Sequence, residues 1–190
     1  MNRNSFLRNL VGISLMPTAT IAAATATPST TPTDLATEAR RVRQELLMAW
    51  KMSEKMTLVT AAQMPAGEYD FRYTSDAMTY AGQWKHCCQF TVNQLAARLN
   101  VADPYTTNPQ TDKTAKADIL AELKTMYAWV RQAIETTPDA ALFANSEFLG
   151  DALPTWRMFY AMENHIIHHR GQCMVYLRLK GVTPEGYVGW

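Results

Sequence analysis

All four histidines of this chain fall in two short segments. One is His86, within Trp84-Lys85-His86-Cys87-Cys88; the other three lie in Glu163-Asn164-His165-Ile166-Ile167-His168-His169-Arg170-Gly171-Gln172. Neutral imidazole is the commonest protein ligand for transition metals. On an α-helix, His165 and His169 are four residues apart and stack on one face about one turn from each other. Two imidazoles at that spacing can grip one ion, and a third from a facing helix completes a three-nitrogen set. His168 is three residues from His165, so a His165/His168 pairing competes with His165/His169. Spacing permits the site without requiring it.

Such a set needs long, stiff elements to carry it. From Asp34 to about Ala62, apolar residues recur at Leu35, Val42, Leu46, Ala49, Met52, Met56 and Val59, one helical stripe. Pro65 and Gly67 break the pattern. Thr74-Ser75-Asp76 offers N-cap oxygens for a second helix to about Leu99, which carries His86. Asp112 can cap a third helix to about Thr136, with Ile119, Leu123, Met126, Val130 and Ile134 as its stripe. The fourth starts near Leu153-Pro154, where a first-turn proline needs no amide hydrogen, and ends at Gly181, a left-handed C-cap. Its functional face includes Met158, Met162, His165, His169, Gln172 and Tyr176. No stretch shows sustained two-residue alternation or hairpin chemistry. The pattern predicts an all-α four-helix bundle, with loops too long to settle helix order from connectivity.

Composition narrows the partners. A chain of 190 residues, 47% hydrophobic and 18% charged, can bury a full core and reads as a globular domain. A net charge of +1 leaves no basic excess to neutralise phosphates, so nucleic acid is not the expected partner. The three cysteines, Cys87, Cys88 and Cys173, show no zinc-type Cys-x-x-Cys pair, and burial as small apolar residues is their commoner use. Cys173 follows His169 by four residues and so lies near the metal face, with direct ligation as the minority alternative. Trp84, Trp156 and Tyr160 are candidates to wall a cavity, although large rings are mostly spent on core packing.

Residues 1–32 read separately as a signal-like N-terminal segment and linker, with the helical domain over residues 33–190. Arg3 and Arg8 precede a short apolar run from Leu10 to Met16, and Ala24-Thr25-Ala26 is a small-x-small pattern suited to a signal peptidase. Asn2-Arg3-Asn4-Ser5-Phe6-Leu7-Arg8 resembles a bacterial twin-arginine export signal lacking its second arginine. The run is too short for a stable membrane span. If residues 1–26 are a signal peptide the protein is exported to the periplasm or envelope; otherwise these residues form a disordered tail and the protein is cytoplasmic.

His165-Ile166-Ile167-His168-His169-Arg170-Gly171-Gln172, followed by Tyr176 through Pro184, resembles the signature of the DinB/YfiT-like metalloprotein superfamily. Met64-Pro65, Tyr69-Asp70-Phe71-Arg72, Ser75 and the helix reaching His86 resemble its first half, and the likeness covers about residues 35–186. The resemblance implies a four-helix bundle holding one divalent metal, Zn, Ni, Fe or Mn, through His86, His165 and His169. His168 is then left to a loop carboxylate or solvent, and Arg170 points away to pair with an acid. Gln172, Cys173, Tyr176 and Trp84 complete the candidate pocket or outer shell. Several relatives are thiol-dependent transferases or isomerases, so the resemblance implies a metal-dependent enzyme acting on a small-molecule substrate with a thiol cofactor. The alternatives are a non-catalytic metal-binding or stress-related envelope protein, and a helical dimerisation module. Export argues against a low-molecular-weight thiol, which is mainly cytoplasmic.

Overall fold

The computed structural model describes residues 32–107 and 112–186. The signal-like segment and the reading of its export lie outside the described residues. Helix α1 spans Pro32–Gln63 and has no glycine or proline after its first residue, the position where proline costs nothing. Its inward face runs Ala39, Val42, Leu46, Ala49, Trp50, Ser53, Met56, Thr57, Thr60 and Ala61. Leu35, Met52 and Val59, expected on that stripe, are only half-buried. Trp50 packs edge-on against the Tyr127 ring at 5.7 Å and Ser53 Oγ lies 3.1 Å from Tyr127 OH, which turns the buried face toward those two residues.

A one-turn 3-10 helix at Ala66–Glu68 leads to α2, Tyr80–Leu99. Its cap is Thr79, whose Oγ1 accepts from Gly82 N at 3.0 Å, rather than the expected Thr74-Ser75-Asp76. The reason is tertiary. The preceding loop folds back so that Phe71 O and Tyr69 O accept from Tyr80 N and Ala81 N, both at 2.9 Å. Those two donors belong to the first turn and are normally orphaned. Asn100 closes α2 at φ 54°, the left-handed region that asparagine tolerates.

A short helix α3, Pro104–Thr107, precedes α4, Lys116–Thr136. Asp112 does not cap α4; the cap position is Ala115, without a side-chain bond. Lys116 fixes the start instead, its Nζ donating to Ala62 O at 2.6 Å and Met64 O at 2.9 Å, carbonyls at the end of α1. Helix α5, Asp139–Phe143, leads to β1, Asn145–Phe148, paired antiparallel with β2, Asp151–Pro154. This hairpin corrects the expectation of none. Its two-residue turn has positive φ at both Leu149 (53°) and Gly150 (90°), and leucine at the first position hides the usual Asn-Gly signal. Helix α6, Thr155–Leu179, ends with Gly181 at φ 75°, Val182 N donating to Leu177 O and Gly181 N to Arg178 O. That is a Schellman closure at the glycine expected for it.

In the four-helix core, α1 and α2 each pack against both α4 and α6. Side-chain contacts give the directions. Arg43 in the first half of α1 meets Ile134 O in the last turn of α4 and Asp139 at the start of α5, whereas Lys85 and Glu122 join the first halves of α2 and α4. Gln83 and Tyr176 join the start of α2 to the end of α6. Helices α2 and α4 therefore run parallel, and α1 and α6 run opposite to them. Parallel neighbours need a connection that returns the length of the bundle. Within that connection, Pro104 and Tyr105 of α3 lie against Val92 of α2 and Met126 of α4 around one hollow. Trp50, Trp84, Tyr80, Tyr127, Tyr176 and Phe159 are the largest fully buried side chains. Met56, Met126, Met158 and Met162 are buried filler. Among the described residues no helix is long and apolar enough to cross a membrane.

Candidate metal centre

Antiparallel packing of α2 on α6 brings His86 opposite the turn that carries His165 and His169. His165 Nε2 lies 3.1 Å from His86 Nε2 and 3.1 Å from His169 Nε2, and one ring nitrogen from each residue falls within a 4.8 Å group. Nitrogens bound tetrahedrally to one ion at about 2.0 Å sit about 3.3 Å apart, so the cluster is near the size such an ion needs. Three ring nitrogens this close cannot all satisfy one another, because a hydrogen on one serves a single neighbour. A cation among them would take all three lone pairs at once. The residues present fit a divalent metal.

The rings are held neutral, as ligation requires. Burial, then the neighbouring His86 and His168, pushes His165 down to about 4. Burial, then His165, His86 and His168, pushes His169 down to about 4 as well. His86 is lowered by burial alone.

One amide sets the tautomer. His169 Nδ1 donates to Gln83 Oε1 at 2.5 Å, which leaves Nε2 as the bare nitrogen facing the cluster. Gln83 Nε2 donates to Gln172 Oε1 at 3.3 Å and reaches Tyr176 OH at 3.5 Å. Gln172 Nε2 in turn donates to His168 Nε2 at 2.8 Å. Tyr176, fully buried, anchors the chain by donating to Met78 O at 2.6 Å. The expected outer positions Gln172 and Tyr176 thus join one polar chain behind His169, and His168 lies at its exposed end. Gln83 escaped the sequence reading. Its signal was its place three residues before His86, on the same helical face.

Trp84 and Cys173 stand elsewhere. Both are fully buried in the core, outside the nitrogen cluster, and burial raises the Cys173 thiol well above its ordinary value. All three cysteines are free and buried. Trp156 and Tyr160 line a hollow with Glu38 and Arg41 near the start of α1, not one with the histidines. Arg170 turns toward α1, its Nη1 donating to Thr57 Oγ1 at 3.4 Å beside the buried Glu163.

The cluster is reached from a groove of about 450 Å³ that His86, Phe90, Asn93, Asp103 and Tyr105 help to line. Phe90 stacks against His165 with ring centroids 4.5 Å apart, one turn beyond His86. The Asp103 carboxylate is already engaged, accepting from Tyr105 N at 2.8 Å and Asn93 Nδ2 at 3.3 Å. Phe90 and Asn93 follow from helical spacing past His86; Asp103 and Tyr105 arrive only because the returning connection crosses α2.

The sequence profile of the DinB family matches residues 32–189. No functionally curated protein matches the chain. In fold it is similar to the crystal structure of a DinB-like protein from Bacillus cereus, with a TM-score of 0.66 at 18% identity over 76% of this chain and 97% of that one. A DinB-like protein from Bacillus subtilis gives a TM-score of 0.61 at 17% identity, covering 75% and 96%.

Proposed function

The chain belongs to the DinB family, and from that premise we propose that it binds one divalent metal through His86, His165 and His169 and acts as a metal-dependent enzyme of the thiol-transferase type. The observation that carries this reading is the convergence of three neutral imidazoles from two helices with no thiolate or carboxylate in the group. Zn, Ni, Fe and Mn all accept such a donor set. When bound, the ion supplies Lewis acidity, lowering the pKa of a thiol or water or polarising a carbonyl.

The chain's own residues supply the rest. His165 and His169 sit one turn apart on α6, so their spacing is fixed by the helix rather than by a loop. Gln83 holds His169 in the tautomer whose Nε2 is bare. Phe90 limits water at the cluster by covering His165, and the groove at His86 admits a small molecule.

A second reading, a metal-binding protein without catalysis, is favoured by Asp103. It is the one carboxylate on the groove among the described residues, and both its oxygens are already used, so no general base stands ready. A homodimer would use the exposed apolar line of Ile167, Val175 and Leu179 on the outer face of α6. Export through residues 1–26 remains part of the proposal and is tested by sequencing the mature N-terminus.

The full chain, purified without a histidine tag or chelator, should carry about one equivalent of metal by mass spectrometry, lost in His165→Ala. Folded protein that refuses zinc, nickel, iron and manganese would remove the reading. Metal-loaded protein that turns over no thiol substrate in a transfer screen would leave the non-catalytic one.

A further inference from the structure

A hollow of about 500 Å³ lies between α2, α3 and α4, larger than the groove of about 450 Å³ at the histidines. It is within the size range of small-molecule sites. Tyr105 lines both hollows, and its hydroxyl is hydrogen-bonded to Cys88 and Glu122, so its side chain stands between them as a wall. The cavity is therefore a separate place from the metal centre.

Its walls change character along one direction. One face of α4 supplies Asp118, Glu122, Met126 and Trp129, residues three or four positions apart. Glu122 meets Lys85 of α2 at 2.9 Å, which sets those two residues at one level. Helices α2 and α4 run parallel, so Val92 and Trp129, each seven residues further on, stand together about 10 Å along the bundle. With Met126 they make an apolar end. The other end is charged. Lys113 and Asp118 line it, and the Lys85 ammonium donates to the Lys113 carbonyl at 3.2 Å as well as to Glu122.

The charges at that end are of two kinds. Lys85 and Glu122 neutralise each other, with both side chains more than nine-tenths buried. Lys113 and Asp118 are exposed, and among the described residues neither side chain makes an ion pair or a hydrogen bond. A cationic head placed between them gains from Asp118 and is repelled by Lys113; an anionic head meets the reverse. A head that carries both signs gains from both.

We propose that this cavity is a second small-molecule site, taking a zwitterion with an apolar tail, of the class of α-amino acids with a long aliphatic side chain. The carboxylate meets Lys113, the ammonium meets Asp118, and the tail runs along α4 to Val92, Met126 and Trp129. The site stands independently of the metal centre.

The full chain is titrated calorimetrically with 2-aminooctanoate, octanoate, octylamine and 2-aminobutanoate, as purified and again after dialysis against a chelator. 2-Aminooctanoate should bind at least about fivefold more tightly than octanoate or octylamine, the scale of one exposed ion pair. 2-Aminobutanoate, which lacks most of the tail, should bind at least about tenfold more weakly than 2-aminooctanoate. Lys113→Met should bring 2-aminooctanoate level with octylamine, and Asp118→Asn should bring it level with octanoate; both residues are exposed, so neither change threatens the fold. Affinities should be the same before and after dialysis. No binding of 2-aminooctanoate, equal or tighter binding of either singly charged compound, or a preference unchanged in both variants would overturn the site. So would affinity that disappears with the chelator, because the amino acid would then be held by a metal at the histidines.

Discussion

Gln83 Oε1 accepts the Nδ1 hydrogen of His169 at 2.5 Å, so a glutamine on α2 decides which nitrogen of an α6 histidine faces the cluster. The same amide is held from behind by Gln172 and Tyr176. It is therefore a fixed acceptor rather than a swinging one.

Replacing Gln83 with leucine removes that acceptor without changing the cluster. Outer partners of ligating histidines are worth about 10–100-fold in metal affinity. We expect a loss in that range by competition titration against a chelating dye, with Gln83→Glu recovering much of it. Equal affinity in wild type and Gln83→Leu would remove the positioning role.

The metal-free protein should lose stability on mild acidification. His165 and His169 titrate near 4 in the fold, against an ordinary value of 6.5. Between those values the unfolded chain takes up protons that the native rings refuse, so stability is full above about pH 6.5 and falls as pH drops toward 4. Below both values the slope from these groups vanishes. Urea unfolding of the metal-free chain across this window should show a steeper fall than His165→Gln/His169→Gln. Matching slopes would contradict the assignment of the shifts.

Leu149 is a local weak point. It is 86% exposed and sits at φ 53°, so its side chain gains almost nothing from packing while its backbone is strained. Leu149→Asn should stabilise the protein by about 1 kcal/mol, since asparagine visits the left-handed region more readily. A lower urea midpoint in the variant would show that Leu149 has a packing role not visible in its exposure.

The fold was legible because its signals are local. Apolar spacing of three and four located the four long helices, and the Gly181 C-cap stood where the last periodic residue left it. The pair His165 and His169 was likewise readable, since four residues on any α-helix make one turn. Helix starts were less legible. Thr74-Ser75-Asp76 and Asp112 have good capping chemistry, but backbone bonds from the 69–79 loop and the reach of Lys116 to α1 placed the boundaries elsewhere. The hairpin was hidden because leucine occupies a turn position normally marked by asparagine or glycine.

By itself the sequence determined that there would be four amphipathic helices with two imidazoles stacked on the last and one on the second, because periodicity and helical pitch act within a few residues. It could not choose between His168 and His169 as the inward partner from spacing, since both lie within one turn of His165. Tertiary packing made that choice: the angle at which α2 lies on α6 buries His169 against Gln83 and leaves His168 exposed. It also decided that α2 and α4 run parallel, and it sets Tyr105 of α3 on the groove beside His86. Those relationships join residues far apart in sequence, and only the shared requirement to bury the faces of four helices at once fixes them.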